Sequence, residues 1–577
     1  MKMFITISVE DSIQTLLEAI SRPFLPGKGS GLVFITDKVG SLVGSVADSD
    51  IRRFISATGR LPKTVSEVMR ANPISLDSEV WRSRGWFAFA EQMDARGWKS
   101  FLPVDYLPIT NNCKIEDVID LAQHQEQIAS TRDLQVVIGL GYVGLTLALV
   151  LASANLRVTG IDSSELVLNQ LDQGNPTIME PGIDRILNQT INRSLNFCNS
   201  LSSIRRVPGV AINFFVCVGT PKLEDSDQID TSQIFEVVEE IVKVIQVGDS
   251  VIMRSTVQVG TGRKICEYIS VRTKLLPGED FFFISAPERT VEGDAIRELQ
   301  TIPQLLAGVT TSCLIKAKAI FANICNTILP MTSLEACEMA KISTNAYRDY
   351  IFAFSNYLSL LCRNEGIDVD EVINSSNFGY DRSSIPRPSP GVGGPCLTKD
   401  SYMMSVIQDD SQSKFSPVVT SRLFNESVPR QIISFLKTKI GSLSQLTAMA
   451  IGLAFKGNPE VGDLRNSTSL EISQLLSTEV HELYLVDAIS DLSTIKFGTT
   501  LNFPQMLDRS PALFLLLNNH QRNLEILFWY LTQTQEKEVW IFDPWRLIDQ
   551  SNIPIEVKSE INVLTMSTLL RFKSHGR

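Results

Sequence analysis

Histidine occurs only four times in 577 residues, and the nine cysteines are scattered with no Cys-x-x-Cys pair among them. Zinc sites and disulfide frameworks both need partners at set spacings, so neither is expected, and no metal is expected either. Cations are in deficit as well: 53 lysines and arginines face 64 aspartates and glutamates, for a formal net charge of -11. An acidic chain offers no field for nucleic acid or anionic lipid, so an anionic ligand must be met by local cations. The N-terminus reaches Glu10 and Asp11 too soon for a secretory leader, which predicts a cytoplasmic protein. Residues 134–156 are uncharged and about as long as a membrane span, yet their glycine spacing is that of a strand-turn-helix, so no membrane insertion is expected.

That stretch contains Val136-Val137-Ile138-Gly139-Leu140-Gly141-Tyr142-Val143-Gly144. Gly139 allows a tight turn, Gly141 lets backbone approach phosphate oxygens, and Gly144 lets the helix pack on the strand, so the helix N-terminus faces a pyrophosphate. A second apolar strand, residues 157–161, ends at Asp162, the acid expected to accept hydrogen bonds from an adenosine ribose. NAD is favoured over NADP, because Asp162 would repel a 2′-phosphate and Ser163-Ser164 supplies no arginine to receive one.

A chain of this length divides into about three or four domains. The pattern predicts an α/β protein: two Rossmann-like doubly wound domains (132–328 and 429–577), joined by a long-helix central domain (329–428) and preceded by an α+β domain (1–128). In 132–328, apolar strands at 210–218, 250–253 and 281–285 end in Gly219-Thr220-Pro221, Arg254-Ser255-Thr256 and Ala286-Pro287-Glu288-Arg289. Ligands of open parallel sheets lie at such carboxyl ends. The last domain has strands near 448–453, 483–486, 512–517 and 539–542 but no second GxGxxG, so no second dinucleotide is expected there.

The first 128 residues read helix, strand, turn, strand, helix, with helices at 12–21 and 48–58. With Leu42-Val43-Gly44-Ser45-Val46-Ala47-Asp48-Ser49-Asp50-Ile51-Arg52-Arg53 and Thr64-Val65-Ser66-Glu67-Val68-Met69, this order resembles a CBS module. A degenerate second copy is expected over 87–120. The resemblance implies an adenine-nucleotide pocket, with Asp50 on the ribose; Ala47 stands where the family commonly has Thr. A structural or oligomerising appendage is the alternative, and the polar stretch 123–133 is expected to be a linker.

Residues 333–365 predict a long helix free of Pro and Gly. Glu338, Lys341, Asn345 and Arg348 recur every three or four residues as a polar stripe, and Ala340, Ile342, Ala346, Tyr350, Phe352 and Phe354 around it predict burial on most sides, with the stripe lining a cleft. Further on, Pro390-Gly391-Val392-Gly393-Gly394-Pro395-Cys396-Leu397-Thr398-Lys399-Asp400 delivers one cysteine to a helix expected at 400–407. Its glycines are expected to bring backbone close to a ligand, and the helix terminus and Lys399 to lower the thiol pKa.

Taken in order, these words resemble the UDP-glucose/GDP-mannose dehydrogenase family over residues 132–555. They are Gly139 to Gly144, Glu180-Pro181-Gly182, Gly219-Thr220-Pro221, Ser255-Thr256-Val257, Pro287-Glu288-Arg289 with Glu292-Gly293, Lys341 with Asn345, the Cys396 loop, and Phe455-Lys456 with Asp463-Leu464-Arg465. The resemblance implies a four-electron oxidation of a sugar C6 alcohol to a carboxylate, with two NAD consumed and Cys396 as nucleophile. Lys341 and Asn345 would stabilise oxyanions, Asp400 and Thr256 position water, and Glu288 serve as base for thioester hydrolysis; pairing of Glu288 with Arg289 is the plainer alternative. It also implies Tyr142, Val143, Thr220 and Lys399 at the cofactor, and Glu288, Arg289 and Gly393 at the substrate. Glu292 is a supporting carboxylate. Lys456 and Arg465 are the candidates for the substrate diphosphate, with Asp463 fixing the Arg465 fork; Arg387 is read as surface charge. Pro395 replaces a histidine often found before the nucleophile.

Ala286-Pro287-Glu288-Arg289 resembles the branch acting on UDP-N-acetylhexosamines such as UDP-N-acetylmannosamine, supplying surface polysaccharide precursors. UDP-glucose is the nearest competitor; a silent nucleotide-sensing scaffold and a two-electron dehydrogenase are the other classes. The long helix implies a homodimer or a multiple of one.

Overall fold

The computed structural model describes residues 4–22, 31–81, 92, 106–120, 133–154, 156–207, 210–223, 228–382, 384–405 and 416–572. Strands β1 (Thr6–Ser8), β2 (Leu32–Thr36), β3 (Leu42–Ala47) and β4 (Arg70–Ala71) form one small sheet, and β5 (Leu76–Asp77), β6 (Tyr106–Asn111) and β7 (Lys114–Asp120) another. Helices Ile13–Ser21 and Asp48–Thr58 flank the first, so strand, helix, two strands and helix follow in order. The sheets meet where Leu42 N donates to Cys113 O and where Phe34 packs on Ile115. Most of the expected second copy, and the linker before Asp133, lie outside the described residues. Asp133 itself pairs with Lys316 at 2.6 Å.

Strands β8 (Leu134–Ile138), β9 (Arg157–Ile161), β10 (Leu195–Cys198), β11 (Ile212–Val216), β12 (Ser250–Met253), β13 (Phe282–Ser285), β14 (Gln304–Gly308) and β15 (Ile328–Pro330) form an eight-stranded sheet in the order β10-β9-β8-β11-β12-β13-β14-β15. All neighbours are parallel except β13 and β14. Chain order reverses between β8 and β11, which opens a crevice at their carboxyl ends. The strands are nearly all apolar because helices cover both faces, as in the clusters around Leu147 and Phe214.

A seven-stranded sheet repeats the plan. It comprises β16 (Thr447–Ile451), β17 (Glu482–Val486), β18 (Thr499–Thr500), β19 (Leu513–Leu516), β20 (Glu538–Phe542), β21 (Glu560–Leu564) and β22 (Leu569–Phe572), with its reversal between β16 and β19. Between the two sheets runs the helix Leu334–Glu365, capped by Ser333 at its start and stopped at Gly366, which takes a left-handed conformation. Its largest helix contacts are with Pro417–Ile440 and Leu397–Ser405. Among the described residues, no helix is long and apolar enough to cross a membrane.

The long helix corrects one expectation. Three of its four stripe residues are buried, Glu338, Lys341 and Asn345 at 3%, 6% and 7% exposure, but Arg348 is exposed, as are Tyr347, Tyr350, Phe354, Tyr357 and Leu361, spaced three and four apart. Glu338 accepts from Gly260 N (2.7 Å) and Gly262 N (2.8 Å), so it caps the helix Thr261–Thr273 and ties the long helix to the eight-stranded sheet. That contact turns the polar face inward.

Candidate active site

The glycine turn has three distinct local geometries. Gly139 has φ +89°, and a Cβ there would press on the Cys217 backbone; a Cβ on Gly144 would lie 1.7 Å from Gly139 O; around Gly141 nothing lies within 4 Å. Two of the glycines are thus demanded by packing, and the third leaves open space at the start of the helix Tyr142–Ser153. Asp162 ends β9 beside this turn, its Oδ2 accepting from Leu140 N at 2.8 Å and its Oδ1 from Ser164 N at 2.9 Å. Tyr142 Oη accepts from Gly293 N at 2.8 Å, and Glu180 accepts from Gly293 N and Ala295 N, which binds two of the expected words to each other.

From this turn a cavity of about 1440 Å³ runs to the start of the helix Thr468–Ser477 of the seven-stranded part. Gly139, Gly141, Tyr142, Val143, Asp162, Thr220, Thr256, Glu288, Lys341, Cys396, Lys399 and Arg465 all line it. The residues fit NAD: an open glycine turn at a helix N-terminus, an acid at the neighbouring strand end, and Lys399 Nζ donating to Thr220 Oγ1 at 3.1 Å at the far side of the crevice.

Cys396 immediately precedes the helix Leu397–Ser405, three residues earlier than the expected helix start. Cys396 is exposed and lines the cavity. The expectation of a lowered thiol pKa is overturned. Burial and the nearby Asp400 carboxylate push it up, Lys341 and Lys399 pull it back only in part, and Glu288 adds a further push.

Asp400 is 1% exposed and sits behind the cavity wall, accepting from Asn345 Nδ2 at 2.6 Å and Lys399 Nζ at 3.1 Å. Neither Asp400 nor Asn345 lines the cavity, so in this arrangement they hold Lys399 and the cysteine helix, where sequence reasoning had them touching water or the reacting oxygen. Glu288 is buried and accepts from Thr290 N. It has no ion pair with Arg289, whose Nη1 donates instead to Pro303 O at 3.3 Å, away from the cavity lining.

Gly393 is a second correction. A Cβ there would lie 2.5 Å from Asn466 O, and one on Gly394 would lie 2.8 Å from the Phe455 ring. These glycines bring the cysteine loop close to the seven-stranded part, and Gly393 does not line the cavity. Lys456 does not line it either. Its Nζ donates to Glu292 O at 2.6 Å, and burial lowers its pKa. Arg465 does line it, with Asp463 at 2.6 Å and Glu292 at 3.5 Å. Burial, with Asp463 next, pushes Glu292 up to about 7. Arg387, itself exposed, pairs with the buried Asp370 at 3.1 Å.

One cleft residue and its buried partner escaped sequence reasoning. Arg254 was noticed only as a strand end, and Gln304, its buried partner at 2.7 Å, carries no local signal because the pair forms between β12 and β14. Among the described residues no group of histidine, cysteine and carboxylates could hold a metal ion.

Two family descriptions match this chain: "UDP-glucose/GDP-mannose dehydrogenase family, NAD binding domain" over residues 135–325 and the same family's central domain over residues 335–427. A UDP-N-acetyl-D-mannosamine dehydrogenase of Campylobacter jejuni is 31% identical over 350 residues, 59% of this chain and 83% of that protein. An NDP-N-acetyl-D-galactosaminuronic acid dehydrogenase of Ralstonia nicotianae is 30% identical over 395 residues, 67% of this chain and 90% of that protein. Among solved structures, the UDP-D-ManNAc dehydrogenase of Pyrococcus horikoshii superimposes with a TM-score of 0.64 at 27% identity, covering 72% of this chain and 96% of that one.

Proposed function

The chain belongs to the UDP-glucose/GDP-mannose dehydrogenase family of NAD-dependent enzymes, and from that premise we propose that it oxidises a UDP-N-acetylhexosamine at C6 to the uronate through Cys396. The observation that carries the reading is that Cys396 opens into one cavity with the NAD-type glycine turn at one side and Arg465 at the other. NAD, when bound, supplies the acceptor for each of two hydrides. The Cys396 sulfur attacks the C6 aldehyde to give a thiohemiacetal, whose oxidation leaves a thioester, and water releases the carboxylate. Lys341, buried in the cavity wall, stabilises the oxyanion of the attack, and Thr256 and Glu288 hold the hydrolytic water. Arg465 takes the diphosphate, aimed by Asp463, with Lys456 one layer behind. The hexosamine is favoured by both curated relatives, whose names carry N-acetylated sugars.

Purified protein incubated with NAD and a panel of UDP- and GDP-sugars, UDP-glucose included, tests this by NADH formed per sugar consumed. Two is expected. One would mean a simple alcohol dehydrogenase, and zero a silent sensing scaffold. Cys396→Ala should yield no uronate.

Three further parts of the proposal concern the rest of the chain. The exposed aromatic stripe of the long helix supports a homodimer. The strand-helix-strand-strand-helix order of the first residues supports a CBS-like unit with an adenine-nucleotide pocket. Nine unpaired cysteines fit a reducing cytoplasm.

A further inference from the structure

Arg254 follows β12 and is 1% exposed, one of the largest fully buried side chains among the described residues. Its Nη1 donates to Ala286 O at 2.9 Å and to Gln304 Oε1 at 2.7 Å. Gln304 in turn donates from Nε2 to Pro287 O at 3.2 Å and to Leu305 O at 2.8 Å. Glu288 N closes the set by donating to Arg254 O at 3.4 Å. Three successive residues, 286 to 288, are therefore each tied to Arg254 or to the glutamine it grips.

Arg254 Nε and Nη2 are buried with no hydrogen-bond partner among the described residues. Spare donors of a buried cation are costly unless a negative group compensates them. Glu288 is the buried carboxylate on the same turn, without an ion pair among the described residues, and both side chains line the cavity.

We propose that Arg254, backed by Gln304, is the positioning residue for Glu288: it fixes the turn through its carbonyls and balances the carboxylate's charge, so that Glu288 stays aimed at the Cys396 thioester. The inference rests on the covalent reading above. In the step it serves, the water oxygen bonds to the thioester carbon, the C–S bond breaks with its electron pair leaving on Cys396 sulfur, and the water proton goes to Glu288. No electron leaves or enters.

The test uses the full-length enzyme with NAD and the sugar nucleotide found in the panel, with intact mass spectrometry of quenched turnover reading the acyl group on Cys396. Glu288→Gln should trap that acyl-enzyme. Arg254→Gln and Gln304→Leu should trap it too, with kcat reduced on the order of a hundredfold, as for a displaced catalytic group. KM for the sugar nucleotide and Kd for NAD should stay within about twofold of the parent in the same variants. Arg254→Lys, which keeps the charge and loses the fork, should recover part of the rate. Full kcat in Gln304→Leu and Arg254→Lys, or a lowered kcat without trapped acyl-enzyme while Glu288→Gln traps it, overturns the positioning role alone. Absence of the adduct even in Glu288→Gln overturns the covalent reading and the inference with it. Gln304→Leu carries the test if Arg254→Gln does not fold.

Discussion

Burial raises the Cys396 pKa first, Asp400 next, Lys341 and Lys399 lower it, and Glu288 adds a smaller rise, so the thiol lies among charges of both signs. A thiolate forms as pH rises past the thiol pKa, so the balance is readable as an alkylation profile. Asp400→Asn should move the rise in iodoacetamide reactivity to lower pH, and Lys341→Met should move it to higher pH; shifts of the same sign would contradict the charge geometry. Glu292 gives a second profile. Burial first and Asp463 next raise it to about 7, so below that value it is neutral and leaves Arg465 free for phosphate, whereas above it the carboxylate competes. KM for the sugar nucleotide should therefore rise between about pH 6 and pH 8, one unit either side of that value. Glu292→Gln should flatten the curve, and a parental KM that is flat over the same interval would rule the competition out. The glycine turn and the acid that follows β9 were legible in the sequence because each depends on a few neighbouring residues. The thiol's charge balance was not, because Glu288, Lys341, Lys399 and Asp400 come from three separate elements.

At the scale of single elements, the strands and helices that were read lie within a few residues of those observed, while β10, β14, β15, β18, β21 and β22, short or without a clear apolar run, were not read. Residues 48–58 and 250–253 were read as the helix and strand that the structure shows, since apolar runs, caps and glycines act locally. What the pattern could not say was which face of an element would be covered. The long helix buries Glu338, Lys341 and Asn345 of its polar stripe, because Glu338 finds two backbone N–H groups and Asn345 finds Asp400, and it leaves Arg348 outside together with Tyr347, Tyr350, Phe354, Tyr357 and Leu361. Such a stripe, with the three-four spacing of a packing seam, suits a second copy of itself across a twofold axis. Phe354→Glu should halve the mass seen by light scattering, from twice 64.1 kDa to that value, while leaving the far-UV signal intact. A parent protein that already runs as a monomer would rule out this use of the helix. The glycines of the cysteine loop teach the same point: Gly393 and Gly394 looked like ligand contacts and are instead demanded by Asn466 and Phe455, partners more than 60 residues away.

For the whole molecule, the strand ends of the eight-stranded sheet and the loop and helix start at residues 464–474 of the seven-stranded part share one cavity, and an acidic chain places Lys341, Lys399 and Arg465 in its wall. Local cations can thus hold a diphosphate despite a net charge of -11. The N-terminal unit stands apart in its chemistry. Asp50 is 8% exposed, accepts from Ala47 N at 3.0 Å and pairs with Arg70 at 2.6 Å, so a ribose would have to displace that arginine. Calorimetry of the full chain with ATP, ADP and AMP should give heat that increases in Arg70→Ala; no heat from either protein would leave the unit purely structural. By itself the sequence determined the helices and strands with clear apolar runs, the glycine turn with the acid that follows β9, and the cysteine that precedes the helix Leu397–Ser405, all consequences of local backbone preference and side-chain periodicity. Only the tertiary structure decided that Asp400 and Asn345 stand behind the cavity, that Arg289 turns to Pro303, and that Arg254 and Gln304 clamp the Glu288 turn. Those outcomes depend on hydrogen bonds between groups distant along the chain, and a buried donor or carboxylate takes whichever partner the fold brings within reach.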